Sequence, residues 1–244
     1  MRPPFPLPLS TAQERRLRTW LDDELLKLTR GHKKRSQPDS PLQTLASYLD
    51  AAQAILCMIL RIPPVDPSGS LRTAYLLRLT SDVLGAIPGY APVVGEIQAL
   101  LDWLDDLDQS WVVVLQGQVW HPDTGAGDLE EAVPEGDMMN GTMTTTISTS
   151  TVTQTDRTRL RGMIIGGSAA LEEWVEEGGL LHVLVGDQAD EGDEDSGGTV
   201  QDAFGELFHR TLKELGELEG VLVPVADPDE PVNGDMDVDI MMDD

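Results

Sequence analysis

Aliphatic side chains recur every three or four positions through most of the first 110 residues, the spacing of amphipathic helices rather than strands. Thr11 and Glu14 stand three apart at the first such run, the pattern of a capping box. Leu17, Leu21, Leu25 and Leu28 follow with Trp20 alongside, and Gly31 supplies a stop. A second helix is predicted to open with Ser40 as cap and Pro41 at its first position, where a missing N–H costs nothing. Leu42, Leu45, Leu49, Ala52, Leu56 and Ile59 line its inner face, and Pro63-Pro64 ends it. Its later half is apolar nearly all round, which marks a central, buried helix.

A third helix starts at Ser70, carries Leu71, Leu76, Leu79, Val83 and Ile87 inward, and ends at Pro88-Gly89. The fourth starts near Pro92 with Val94, Ile97, Leu100, Leu101, Leu104 and Leu107, and turns Asp102, Asp105, Asp106 and Asp108 outward. Trp111-Val112-Val113-Val114-Leu115 is β-branched and too short for its period to separate strand from helix. The same ambiguity holds at 181–185 and 221–225.

Order resumes near Asp156, where Leu160, Met163, Ile164, Leu171, Trp174 and Val175 repeat at helical spacing. This helix has arginines early and glutamates late, against its dipole, so packing must hold it. Gly166-Gly167 within it costs about 1 kcal/mol per residue relative to Ala, which predicts close approach of a neighbouring helix.

Between and around these runs the pattern lapses. Residues 1–9 form a proline-rich leader, and 121–155 an inserted loop in which ten of the fourteen positions from Thr142 to Thr155 are Thr or Ser. Residues 186–200 form an acidic, Gly-rich linker before an amphipathic helix at 201–219, and 226–244 an acidic tail. Leader, loop and tail are too polar or proline-rich to form a core and are expected to be disordered. The expected fold is all-α. A bundle of about five helices spans 10–180 around the disordered loop, followed by one further C-terminal helix and the tail.

Composition narrows this. Hydrophobic residues make up 40 % of the 244 positions but aromatics only 5 %, so Leu, Val, Ile and Ala must fill the core. The single cysteine, Cys57, sits in an apolar run and reads as a small buried hydrophobe. Prolines interrupt the N-terminus, so no secretory signal is expected, and no apolar run approaches the roughly 18 residues of a membrane span.

Charge is unevenly spread. Residues 1–40 carry a net +4, residues 41–180 a net −13 and residues 181–244 a net −17, of −26 in all. Such a field repels phosphate, so direct nucleic-acid binding is not expected.

Candidate chemistry is sparse. His121-Pro122-Asp123 resembles the tripeptide of J-domain co-chaperones, but no basic helix precedes it and a Gly-rich acidic loop follows, so a loop-entry turn is the expected reading. The four histidines lack ligand spacing. The acidic run 187–195 has Ala189 at the third position of a calcium loop, and no glutamate stands at its twelfth. No Gly-Lys pair occurs, which removes the phosphate-binding loop. No cofactor, metal or catalytic constellation is expected.

Two short elements suit docking. Arg30, Lys33, Lys34 and Arg35 form the one dense basic patch, read as a nuclear import signal, a phosphate contact, or cations favoured by a helix C-terminus. In the tail, Val238, Ile240 and Met241 lie among aspartates. This stretch resembles a SUMO-interacting motif, which adds a strand to a partner's sheet edge. The expected function is a non-enzymatic helical adaptor, or a subunit of a larger hetero-oligomeric complex. It would reside in the nucleus, or else in the cytoplasm, and bind protein partners with basic surfaces. The alternative is an acidic chaperone or escort for a basic client such as a histone or ribosomal protein.

Overall fold

The computed structural model describes residues 7–121, 126–128, 152–185 and 198–216. They form an all-α bundle with two very short strand pairs. The docking tail Val238, Ile240 and Met241, the acidic run 187–195 and the Thr/Ser tract 142–151 lie outside the described residues.

Helix α1 (Thr11–Lys33) starts one residue earlier than the Thr11/Glu14 pattern implies, because Ser10 and Gln13 make the capping box. Nor does Gly31 stop it. The helix runs on to Lys33, and Gly31 is glycine for room: a Cβ there would stand 2.5 Å from Cδ1 of Leu42, a buried residue of the following connection. Helix α2 (Leu45–Leu60) is capped by Thr44 with Ser47, not by Ser40. Ser40 is drawn instead into the connection, donating its hydroxyl to the Gly31 carbonyl at 3.3 Å.

Helix α2 lies at the centre, packed on α1, α3 (Ser68–Ala86) and α4 (Val94–Leu115). It buries Leu45, Tyr48, Leu49, Ala52, Ile55, Leu56, Ile59 and Leu60. Each such aliphatic side chain taken from water contributes about 1.5–3 kcal/mol. Cys57 is only half-buried, because it and Met58 fall outside the face that meets the other helices.

The ambiguous segment 111–115 is the last turn of α4. Trp111 is fully buried there and donates its indole N–H to the Thr80 hydroxyl of α3 at 3.0 Å, a tertiary contact invisible to local propensity. After α4, β1 (Val119–His121) pairs antiparallel with β2 (Ala126–Asp128). The stretch expected to be loop from 121 therefore begins with a strand pair.

Helix α5 (Gln154–Glu177) begins two residues before the expected Asp156, on a Thr153 cap. It packs on α3, and Gly167 is the point of closest approach: a Cβ would meet Leu84 Cδ1 at 2.6 Å. Gly166 faces open space. Trp174 donates its indole N–H to the Tyr90 carbonyl at 2.8 Å, fixing the end of α5 to the connection between α3 and α4. Beyond α5, β3 (Leu184–Val185) pairs with β4 (Gly198–Thr199), so the expected 186–200 linker ends in a strand and, at Val200, in the start of the next helix.

The single helix expected at 201–219 is two helices, α6 (Val200–Gly205) and α7 (His209–Gly216). Phe208 between them is buried with φ at +58°, a left-handed backbone that ends helical continuation.

Candidate functional site

The break at Phe208 is made by α4. Asp108, expected on the outer face, is 4 % exposed. Its carboxylate accepts two backbone N–H groups from the first turn of α7, from Thr211 at 2.8 Å and Arg210 at 3.3 Å. It thereby caps α7 from another helix and occupies the positive end of that helix dipole. The Arg210 side chain closes the arrangement, donating to Asp108 at 3.0 Å and to Asp105. Burial opposes the charge on Arg210, but the hydrogen bonds and attraction of Asp108 and Asp105 outweigh it and hold the guanidinium above its usual range.

This docking leaves a groove between α4 and α6 of about 450 Å³. Its floor is Leu101, Leu104, Ala203, Leu207 and Phe208. Its rim is acidic: Asp102 and Asp105 from α4, Asp202 and Glu206 from α6 and the turn after it, all exposed. Asp202 is held below the usual carboxylate range, chiefly by the backbone N–H of Thr199 and also by its hydroxyl. Arg210 offsets part of this rim by pairing with Asp105, and four carboxylates still edge the apolar base.

The basic patch is divided by the fold. Arg30, Lys33 and Lys34 are exposed at the end of α1, while Arg35 is half-buried. Arg35 donates to the Gly89 carbonyl at 2.7 Å and the His32 carbonyl at 3.0 Å, and lies over the Tyr90 ring. Its role is to fasten α1 to the turn after α3. His32, Tyr48 and Tyr90 stack beside it with ring centroids 5.5–5.8 Å apart.

Other expectations on chemistry take simple forms here. His121 belongs to β1, opposite Ala126. Among the described residues, no three histidine, cysteine or carboxylate side chains gather to hold a metal, and no helix is long and apolar enough to cross a membrane.

Asp102, Asp105 and Asp106 lie on the exposed side of α4 as the sequence implies, but Asp108 does not, and the sequence gives no sign that α6 returns to this face. For the second wall itself the signal in the sequence is Asp202 and Glu206 four apart, with Ala203 and Leu207 beside them at the same spacing. The chain matches no protein-family model, no curated protein and no solved structure.

Proposed function

We propose that this chain is a non-enzymatic adaptor, or a subunit of a larger hetero-oligomeric complex, that seats a basic, amphipathic segment of a protein partner in the groove between α4 and α6. The observation that supports this reading is the pairing of an apolar floor, Leu104, Leu207 and Phe208, with a rim of four carboxylates. Apolar contact supplies affinity, and the acidic rim raises the encounter rate with cationic partners and sets their orientation. Electrostatic binding alone fades as the Debye length shrinks from about 30 Å at 0.01 M salt to 8 Å at 0.15 M. Apolar seating persists.

The test is affinity purification of the full chain and of a Leu207→Asp variant at both salt concentrations, with quantitative mass spectrometry. A defined set of partners retained at the higher salt and lost from the variant is expected. If recovery falls with salt alone and ignores Leu207→Asp, the adaptor reading fails, and the chain is an acidic escort for basic clients.

Nuclear residence belongs to the same proposal and rests on the exposed Arg30, Lys33 and Lys34. Lys33→Ala with Lys34→Ala is expected to move a fusion too large for passive entry into the cytoplasm. An unchanged nuclear distribution would leave these cations as dipole partners of α1.

A further inference from the structure

On the side of the bundle made by α1 and the end of α2 lies a second groove, of about 460 Å³. Leu9, Leu17, Trp20, Met58 and Ile62 line it, with Arg16 and Arg61 at its edges. Trp20 is 37 % exposed, a large apolar ring left open to solvent. Neither Arg16 nor Arg61 has a hydrogen-bond or ion-pair partner among the described residues, whereas Arg18 on the same helix is paired with Glu14 at 2.6 Å. In a chain of net charge −26, an apolar trough edged by two unpaired guanidiniums is the exception.

Its complement is written in the same chain. Residues 235–240, Asp-Met-Asp-Val-Asp-Ile, alternate acidic and apolar side chains, and Met241-Met242 follow. In an extended backbone successive side chains point to opposite sides. Met236, Val238, Ile240 and Met242 then share one face, and Asp235, Asp237 and Asp239 the other, with Met241 at the end of the acidic face. That pattern answers an apolar floor with cationic edges.

The fold also brings the tail's point of departure near this groove. The described chain ends at Gly216, and Glu214 just before it accepts a hydrogen bond from Gln116 at the end of α4 at 3.2 Å. Two residues on, the Gln118 carbonyl accepts from Arg72 in the second turn of α3 at 2.8 Å. Ser68, the first residue of α3, in turn accepts the backbone N–H of Leu9, a wall of the groove, at 2.8 Å. The exit point and the groove therefore share one end of the bundle. The residues from Gly216 to Asp235 span roughly 25 Å as a random coil and roughly 60 Å fully stretched. Helices about 10 Å across make a bundle that such a tether crosses readily. Tethering of this kind supplies an effective concentration on the order of millimolar.

We propose that residues 235–242 dock in the groove between α1 and α2 of their own chain, so that the acidic tail is a removable intramolecular cover for a site selective for acidic, apolar peptides. The proposal concerns a different face from the groove between α4 and α6 and stands whether or not that groove takes a partner.

The experiment titrates a fluorescein-labelled peptide of residues 233–244 onto two full-length proteins, the unaltered chain and one carrying Val238→Asp with Ile240→Asp. Anisotropy is expected to show at least tenfold tighter binding to the altered chain, whose own tail no longer competes. Adding Arg16→Glu and Arg61→Glu to that chain is expected to weaken the peptide at least tenfold, with an unchanged circular dichroism spectrum. Equal affinity for the two proteins would overturn the proposal. So would binding that ignores the arginine changes, which would put the peptide elsewhere. Light scattering completes the test: a concentration-independent monomer is expected, and a dimer lost on Val238→Asp with Ile240→Asp would place the tail in a second copy and overturn the intramolecular form.

Discussion

His32 is the residue whose charge state the fold controls most usefully. Burial against Tyr48 and Tyr90, and then the nearby Arg35, hold its pKa below the usual imidazole range. The unfolded chain therefore binds this proton first as pH falls. The His32 contribution to stability is complete above about pH 6.5 and is lost as pH drops from there through the lower folded value. Asp82 and Asp106 work in the opposite sense further down, because burial raises both carboxyl pKa values and their protonation favours the folded state. The clean measurement is a difference. His32→Phe keeps a ring between the tyrosines, and its melting temperature is expected to fall less than that of the unaltered protein between pH 7 and pH 5. Parallel curves would mean that His32 titrates alike in both states. Arg72 poses a different problem. It is 1 % exposed, and its Nη1 donates to Gln118, but Nε and Nη2 are buried without partners among the described residues, and burial brings its pKa down to about 10. The sequence carries no sign of this, since Arg72 sits beside Leu71 as any surface arginine of an amphipathic helix would.

At the scale of elements, two adjacent glycines with the same sequence signature serve different ends. Gly167 lets α5 approach α3 at Leu84, whereas Gly166 has nothing within 4 Å of a would-be Cβ. Gly166→Ala should therefore stabilise by up to about 1 kcal/mol, the helix propensity gained without a clash. Gly167→Val should destabilise by about 1–3 kcal/mol through overpacking against Leu84. Urea unfolding of the two variants decides it, and shifts of the same sign would remove the close-approach argument. Helix periods were legible because leucines at three- and four-residue spacing must share a face whatever the partner. Helix ends were less so. Ser40 is by type a somewhat better cap than Thr44, yet Thr44 wins because Leu42 packs against α1 at Gly31. The break between α6 and α7 was illegible for the same kind of reason: it answers a carboxylate about 100 positions earlier in the chain, Asp108.

For the molecule as a whole, the net charge of −26 opposes compaction by self-repulsion. Raising ionic strength from about 0.01 M to 0.15 M shortens the Debye length from about 30 Å to 8 Å and relieves that repulsion, so the melting temperature is expected to rise by roughly 2–4 °C. A fall would show that ion pairs such as Arg78 with Asp22 and Arg210 with Asp105 contribute more than the repulsion costs. The sequence by itself determined the helical class, the order of the main helices, the inward leucine faces and the charge imbalance, because each follows from residue type at short spacing. Only the tertiary structure decided which aspartate is buried, where the last helix breaks and how the basic patch is split between solvent and the Gly89 carbonyl. It also decided that Leu101 of α4 and Leu207 beyond α6 share one groove, while Leu17 of α1 and Met58 of α2 share another. Grooves and cross-helix caps join residues tens of positions apart, and hydrophobic period says which side of a helix is buried but not which neighbour buries it.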